Sequence, residues 1–188
     1  MRIISGNYKG KKILLPKDKL TRPLKDLTKE SIFNIIKHSK LIDIDLENSK
    51  ILDLFSGVGS FGLECLSRGA GNVTFLESYQ EVLVVLKKNI NNIKQQNSSN
   101  IIDKDIFAEN TLKALGDNFD IIFMDPPYKE KKLPELLNTI ITLKLLKENG
   151  IIIVHRHKKE EDIFPNNFNI IIKKNYGISK IIFGNTLD

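Results

Sequence analysis

The sequence predicts an α/β fold, with a mostly parallel sheet covered on both faces by helices. Three observations carry that reading. Short, mostly apolar runs such as Ile51–Phe55 and Ile151–His155 alternate with helical stretches, the pattern of strands buried on both sides. The first run leads directly into Ser56-Gly57-Val58-Gly59, a glycine-rich turn that opens a helix. The last two runs, Asn169–Lys174 and Ile178–Phe183, meet at Tyr176-Gly177 as an antiparallel hairpin.

The elements follow in order. Arg2–Ser5 and Lys12–Leu15 read as short strands around a turn at Gly6–Gly10. Leu24, Leu27, Ile32, Ile35 and Ile36 form an apolar face on a helix over 24–40. After strand Ile51–Phe55 comes a helix to Arg68, with Gly69 as its C-cap. Strand Val73–Glu77 precedes a helix over Gln80–Ile93, and strand Ile101–Lys104 precedes a short helix over Phe107–Leu115. Strand Asp120–Met124 ends at Asp125-Pro126-Pro127-Tyr128, and a helix over Leu133–Lys147 leads into strand Ile151–His155.

Composition narrows the class. With 188 residues, 41% hydrophobic and 28% charged, the chain reads as a soluble globular protein of one compact domain with a small appendage. No apolar run reaches membrane-span length, and the N-terminus has no signal-peptide core, so a cytoplasmic protein is expected. A single cysteine, Cys65, and three histidines leave no internal disulfide and no structural metal site to expect. Nothing in the pattern asks for an obligate dimer, and a monomer is expected.

Charge is unevenly spread. Residues 1–40 hold eleven Lys and Arg against three acids, whereas 41–188 hold eighteen against twenty. The basic excess therefore sits at the start of the chain, an electrostatic footprint for nucleic acid. The chain divides into a basic hairpin and helix over 1–48 and a cofactor-binding domain over 49–188. Lys9, Lys11, Lys12, Lys17 and Lys19 are candidates for phosphate contact, each individually also readable as a solvated surface lysine.

Gly57-Val58-Gly59-Ser60-Phe61-Gly62 has the form of a dinucleotide-binding turn, with Glu77 twenty residues after Gly57. That acid suits ribose hydroxyls in a dinucleotide or in S-adenosylmethionine (SAM), so the glycines alone do not choose. Asp53 tilts the choice. A carboxylate just before the loop fits the ammonium end of SAM and would oppose a phosphate. Asp105 can accept from an adenine amino group or cap a helix. Phe55 and Ile106 are assigned to the same cofactor site.

Asp125-Pro126-Pro127-Tyr128 decides the chemistry. Two prolines stiffen the loop and remove two donors, so it presents carbonyls and a carboxylate. Acceptors are what an exocyclic amine needs. Hydrogen bonds from its two hydrogens to Asp125 and the Pro126 carbonyl favour a pyramidal nitrogen, freeing a lone pair otherwise delocalised into the base. Tyr128 can stack on the extruded base. Cys65 lies on the helix after the glycine loop and reads as core packing. His155 and His157, one strand period apart, read as a pair at the cleft rim or as a proton relay.

These motifs resemble SAM-dependent amino-methyltransferases acting on nucleic-acid bases. Arg2-Ile3-Ile4-Ser5-Gly6, Gly10-Lys11-Lys12, Arg22-Pro23, Gly62-Leu63-Glu64, Leu66-Ser67-Arg68-Gly69-Ala70 and Tyr176-Gly177 narrow the resemblance, nearly end to end, to the RsmD family. These are bacterial 16S ribosomal RNA guanine-N2 methyltransferases. The resemblance implies a Rossmann-like class I fold with a seven-stranded sheet and methyl transfer from SAM to guanine N2. It also implies the small ribosomal subunit, or an assembly intermediate of it, as substrate. Position by position, Asp53, Gly57 and Gly59 match the SAM loop, Glu77 the ribose acid and Asp105 the adenine contact. Asp125 to Tyr128 match the catalytic loop, and Arg22 and Pro23 the segment that closes over the cleft near RNA. Two departures stand out: Leu24 and Leu27 where the family carries Thr and Arg, and His155-Arg156-His157 where it often has an acid.

Three rivals remain at this level. A DNA adenine-N6 methyltransferase shares the catalytic loop, a dinucleotide-dependent oxidoreductase shares the glycines and Glu77, and a non-catalytic RNA-binding module shares the basic N-terminus.

Overall fold

Alternate residues of the central strands face opposite apolar layers, which is why their sequences read as unbroken apolar runs. In β4 (Phe119–Met124), Ile121 and Phe123 enter one layer while Ile122 and Met124 enter the other. The computed structural model describes residues 1–17, 24–116 and 118–187. Around β4 it places β1 (Lys50–Leu54), β2 (Asn72–Glu77), β3 (Ser99–Asp103), β5 (Leu146–His157), β6 (Phe168–Tyr176) and β7 (Ser179–Thr186). The sheet order is β3-β2-β1-β4-β5-β7-β6. Strands β1 to β5 are parallel, and β7 lies antiparallel between β5 and β6.

Helices α1 (Asp26–His38), α2 (Ser60–Ser67) and α3 (Gln80–Asn92) cover one face. Helix α4 (Leu133–Thr142) and the segment bearing Ile106 and Leu112 cover the other. None of the described helices is long and apolar enough to cross a membrane. A stacked file of rings ties the first layer together. Phe33 on α1 stacks on Phe61 of α2 at 5.3 Å, and Phe61 stacks on Phe123 of β4 at 4.0 Å.

The expected cap at Gly69 is present. Gly69 takes φ 101°, its amide donates to Leu66 O, and the Ala70 amide donates to Cys65 O. The same device ends α4 at Thr142 rather than at the expected Lys147. Lys144 adopts φ 51°, with the Leu145 amide on Ile140 O. Leu146 then joins the sheet opposite Phe119, and a bulge at Asn149 (φ 63°) precedes the pairing of Ile151 with Ile121. The helix expected over 107–115 reduces to a 3₁₀ turn at Lys113–Leu115, because Asn110 at φ 65° diverts the helical path.

On α1 the buried stripe is Lys29, Ile32, Phe33 and Ile36, spaced i, i+3, i+4, i+7. Leu27, expected on that face, is 70% exposed, because at about 100° per residue it stands opposite Ile36 on the helix.

The expected N-terminal strands reduce to one bridge, Arg2 to Lys12. Past it, the backbone turns to side chains of the helix layer. The Ile4 and Ser5 amides donate to the Glu64 carboxylate at 2.8 and 2.9 Å, and the Leu14 amide donates to Asn89 Oδ1 at 2.8 Å. Glu64, fully buried, also accepts from Arg68 Nε at 2.9 Å and faces Lys29 Nζ at 3.5 Å. Burial pushes the Lys29 ammonium below its ordinary range, opposed by Glu64 and Asp26. Its Nζ donates to Arg2 O at 2.8 Å, so the hairpin is fastened to two helices at once.

Candidate functional site

Strand order switches between β1 and β4, and the loops leaving their carboxyl ends part to open a crevice. A cleft of about 630 Å³ lies there. Among the residues expected to form the site, Asp53, Phe55, Gly57, Glu77, Asp105, Ile106, Asp125, Pro126, Pro127 and Tyr128 all line it. Gly59 does not. At φ 83° it caps α2, and a Cβ there would meet Leu86 Cδ1 at 2.5 Å, so it serves the turn. Arg22, Pro23 and Lys19 lie outside the described residues.

Lys9, Lys11 and Lys12 are exposed on the N-terminal hairpin. The hairpin turn is tied to the far end of α2. The Asn7 amide donates to Ser67 O, the Tyr8 amide donates to Ser67 Oγ, and Gln95 Nε2 donates to the Tyr8 hydroxyl. Helix α2 starts at the cleft with Ser60, so the Lys9 turn lies about 12 Å away along the helix axis.

The glycine loop is wired inward. The Gly57 amide donates to Glu77 Oε2 at 2.8 Å, that of Gly59 to Ser56 O at 2.8 Å, and that of Gly62 to Asp53 Oδ2 at 3.0 Å. All three glycine amides are therefore committed, two of them to carboxylates, and none is left to cradle a phosphate. Phe55 enters the loop at φ 57°, a conformation costing a bulky residue roughly 1–2 kcal/mol and found where a site imposes it.

The walls are acidic. Among the described residues, Asp53, Glu77, Asp105, Asp125 and Glu130 line the cleft against one cation, Lys104. Burial holds the Asp53 carboxyl well above the usual carboxylate range; the Gly62 amide opposes this, while the Asp125 and Glu77 charges add to it. Such a cleft suits a cationic ligand. Glu77 also accepts the Ser78 and Tyr79 amides on Oε1, which leaves about one acceptor position of its four. Asp105 Oδ1 accepts the Phe107 amide and caps the turn while facing the cleft.

At the opposite wall, Pro127 O accepts from the Glu130 amide at 2.8 Å and from Arg156 at 3.1 Å. Among the described residues, the Pro126 carbonyl is left without a donor. Asp125 Oδ1 contacts His155 Nδ1 at 2.7 Å, and Tyr128 meets the edge of His157 with ring centroids 5.2 Å apart. Cys65 is buried inside α2, where loss of solvent raises its thiol well above the ordinary range. Among the described residues no His, Cys, Asp or Glu cluster could hold a metal ion.

Residues 1–185 match the family profile described as Conserved hypothetical protein 95. The chain belongs to this family, the RsmD family.

RsmD-family relatives include the Ribosomal RNA small subunit methyltransferase D of Buchnera aphidicola, 36% identical over 176 residues, spanning 92% of this chain and 86% of the relative. The protein of that name from Haemophilus influenzae is 31% identical over 183 residues, spanning 95% and 90%. Among solved structures, the methyltransferase yhhF of Escherichia coli superposes with a TM-score of 0.81 at 25% identity, covering 100% of this chain and 98% of its own. The methylase HI0767 of Haemophilus influenzae gives 0.73 at 31% identity, covering 100% and 99%. The fold is the Rossmann-like methyltransferase fold.

The departures from the RsmD pattern fall at telling places. Leu24 is 3% exposed and lines the cleft, whereas Leu27 faces solvent. His155 touches Asp125, and Arg156, 2% exposed, holds the Asp125–Tyr128 loop through Pro127 O and Glu130 O. Asp162 Oδ1 in turn fixes Arg156 Nε at 2.8 Å, and Lys180 sits 3.2 Å from Asp162 Oδ2. Sequence reasoning missed both grips on the loop. The signal lay in register: Met124 pairs with Val154, so the next residues, Asp125 and His155, emerge side by side.

Proposed function

We propose that this chain transfers the methyl group of SAM to the exocyclic N2 of a guanine in 16S ribosomal RNA, within the small subunit or an assembly intermediate of it, in the cytoplasm. One observation carries the reading. The cleft joins a carboxylate floor, with its glycine amides already committed, to a loop offering acceptors alone. A pyrophosphate would find the three glycine amides taken and several negative charges. The relatives named as small-subunit ribosomal RNA methyltransferases support the choice of substrate.

Asp53 would hold the ammonium end of SAM and Glu77 its ribose. Asp105, Ile106 and Phe55 would hold the adenine. When bound, SAM supplies an electrophilic methyl on a sulfonium centre. Asp125 and the Pro126 carbonyl accept the two amine hydrogens, turning the nitrogen lone pair outward. Tyr128 holds the base by stacking. As the N–C bond forms, the methyl–sulfur bond would break with its electron pair staying on a neutral thioether, and the surplus amine proton would leave to Asp125 or to water.

RNA reaches this end of the sheet. Lys129, Lys131 and Lys132 follow the catalytic loop, Lys158 and Lys159 follow β5, and all five are exposed. They are placed to meet phosphates flanking the target base, with the 1–48 extension and its Lys9, Lys11, Lys12, Arg22 and Pro23 contributing more distant or cleft-closing contacts.

The test is transfer of labelled methyl from SAM to small subunits, naked 16S RNA, naked 23S RNA and duplex DNA, followed by nucleoside identification. N2-methylguanosine on 16S RNA is expected. N6-methyladenine on DNA would overturn the substrate while keeping the catalytic loop, and label on no acceptor would reject the proposed substrates altogether.

A further inference from the structure

Behind the catalytic loop, Asp125, His155 and Ser179 form a continuous hydrogen-bonded file. His155 Nδ1 lies 2.7 Å from Asp125 Oδ1, and His155 Nε2 lies 2.9 Å from Ser179 Oγ. His155 and Ser179 are 6% and 5% exposed; Asp125 and the edge of His155 line the cleft, and Ser179 does not. Three different strands supply the parts. Asp125 follows β4, His155 is on β5, and Ser179 opens β7 diagonally across the β5–β7 pair, since its direct partner is His157.

The file has one consistent direction. An ionised carboxylate has no hydrogen to give, so the 2.7 Å contact requires a hydrogen on Nδ1. In neutral His155 the Nε2 lone pair must then accept, and the Ser179 hydroxyl is the donor that reaches it. The connectivity is that of a hydrolase triad with the open end reversed. The serine is sealed in the sheet, and the carboxylate faces the ligand.

We infer that His155, oriented by Ser179, is a positioning residue for the amine-binding carboxylate. It occupies Asp125 Oδ1 and stops rotation of the carboxylate, so that Oδ2 is presented to the base beside the Pro126 carbonyl. The inference rests on the proposed amine methylation for its consequence in rate. Its tautomer and hydrogen-bond pattern belong to the protein alone.

Two matched variants separate the role from bulk packing. The His155→Asn amide nitrogen can take the place of Nδ1, whereas that of His155→Gln falls near Nε2. H155N is expected to keep kcat within about threefold of the parent. H155Q is expected to lose about tenfold to a hundredfold in kcat, the scale of one charged hydrogen bond, with KM for SAM unchanged. Equal kcat in the two variants, with both folded by thermal melting, overturns the inference.

A second readout needs neither cofactor nor RNA. Nitrogen-15 chemical shifts of His155 in the unliganded protein are expected to show the Nδ1–H tautomer, and Ser179→Ala to shift the population toward Nε2–H. A dominant Nε2–H form in the parent overturns the inference. If the parent methylates none of the acceptors while the Nδ1–H tautomer is found, the functional reading fails and the file of three residues stands.

Discussion

Glu77 Oε2 receives the amide hydrogen of Gly57 at 2.8 Å, joining the end of β2 to the first glycine of the turn. In a dinucleotide site that amide would face phosphate. Here a carboxylate stands in its path, a contact that supports the proposed choice of SAM over a dinucleotide. SAM is expected to bind and NADH to show no binding at millimolar concentration in calorimetric titration, with Glu77→Gln weakening SAM by at least about tenfold.

Asp53 links cofactor affinity and stability to pH. Its folded-state value is raised by burial, so above about pH 3.9 the folded state keeps a proton that the unfolded state has lost. Stability therefore falls as pH rises from there through the raised value. Asp53→Asn removes this slope and is expected to melt higher than the parent at neutral pH. The ionised form is the one that pairs with an ammonium, so SAM affinity of the parent rises with pH across the same window. Proton release on binding, read by calorimetry in buffers of different ionisation enthalpy, checks the sign.

Asp125→Ala removes one preorganised acceptor from the amine. The barrier is expected to rise by about 2–4 kcal/mol in single-turnover methylation, with SAM binding retained. Near-normal turnover in this variant would remove the loop from the mechanism.

Glu64 joins α2 to the N-terminal hairpin, α1 and Arg68 through buried contacts. Glu64→Ala strands Lys29 and two backbone amides, and a loss of about 3–5 kcal/mol is expected in urea unfolding. Hydrogen exchange at Ile4 and Ser5 is expected to become fast in the same variant. Slow exchange there would show that the hairpin is held by other means.

The distribution of exposed lysines separates two ends of the molecule. Charge reversal at Lys131 and Lys132, beside the cleft, is expected to weaken RNA binding by at least about tenfold and lower the salt slope by about two. Reversal at Lys9, at the other end of α2, is expected to change affinity less than about threefold. A larger effect at Lys9 would place the RNA along the helix layer.

Local signals made the architecture readable. Apolar runs such as Ile121 to Met124 mark strands wherever they stand, and the Asp125–Tyr128 loop is legible as a stiff, proline-fixed turn in four adjacent residues. What stayed hidden depends on residues brought together from afar. Glu64 and Lys29 look like solvated positions until two helices and the hairpin close around them. His155 acquires its partner only through the β4–β5 register, and that register turns on a bulge at Asn149 that no periodicity announces. Leu145 and Leu146 continue a helical apolar pattern, and only the left-handed turn at Lys144 diverts them toward the sheet.

The docking of the first residues on α2 also sets a timetable. Ile4 is separated from Glu64 by sixty positions, and Leu14 from Asn89 by seventy-five. At a synthesis rate of about 5–20 residues per second, the hairpin is made several seconds before its anchors. Ile3 and Ile13, which end in the main apolar layer, stay uncovered during that interval. The hairpin thus waits on residues made sixty to seventy-five positions after it, and its two isoleucines are exposed to whatever lies nearby until then.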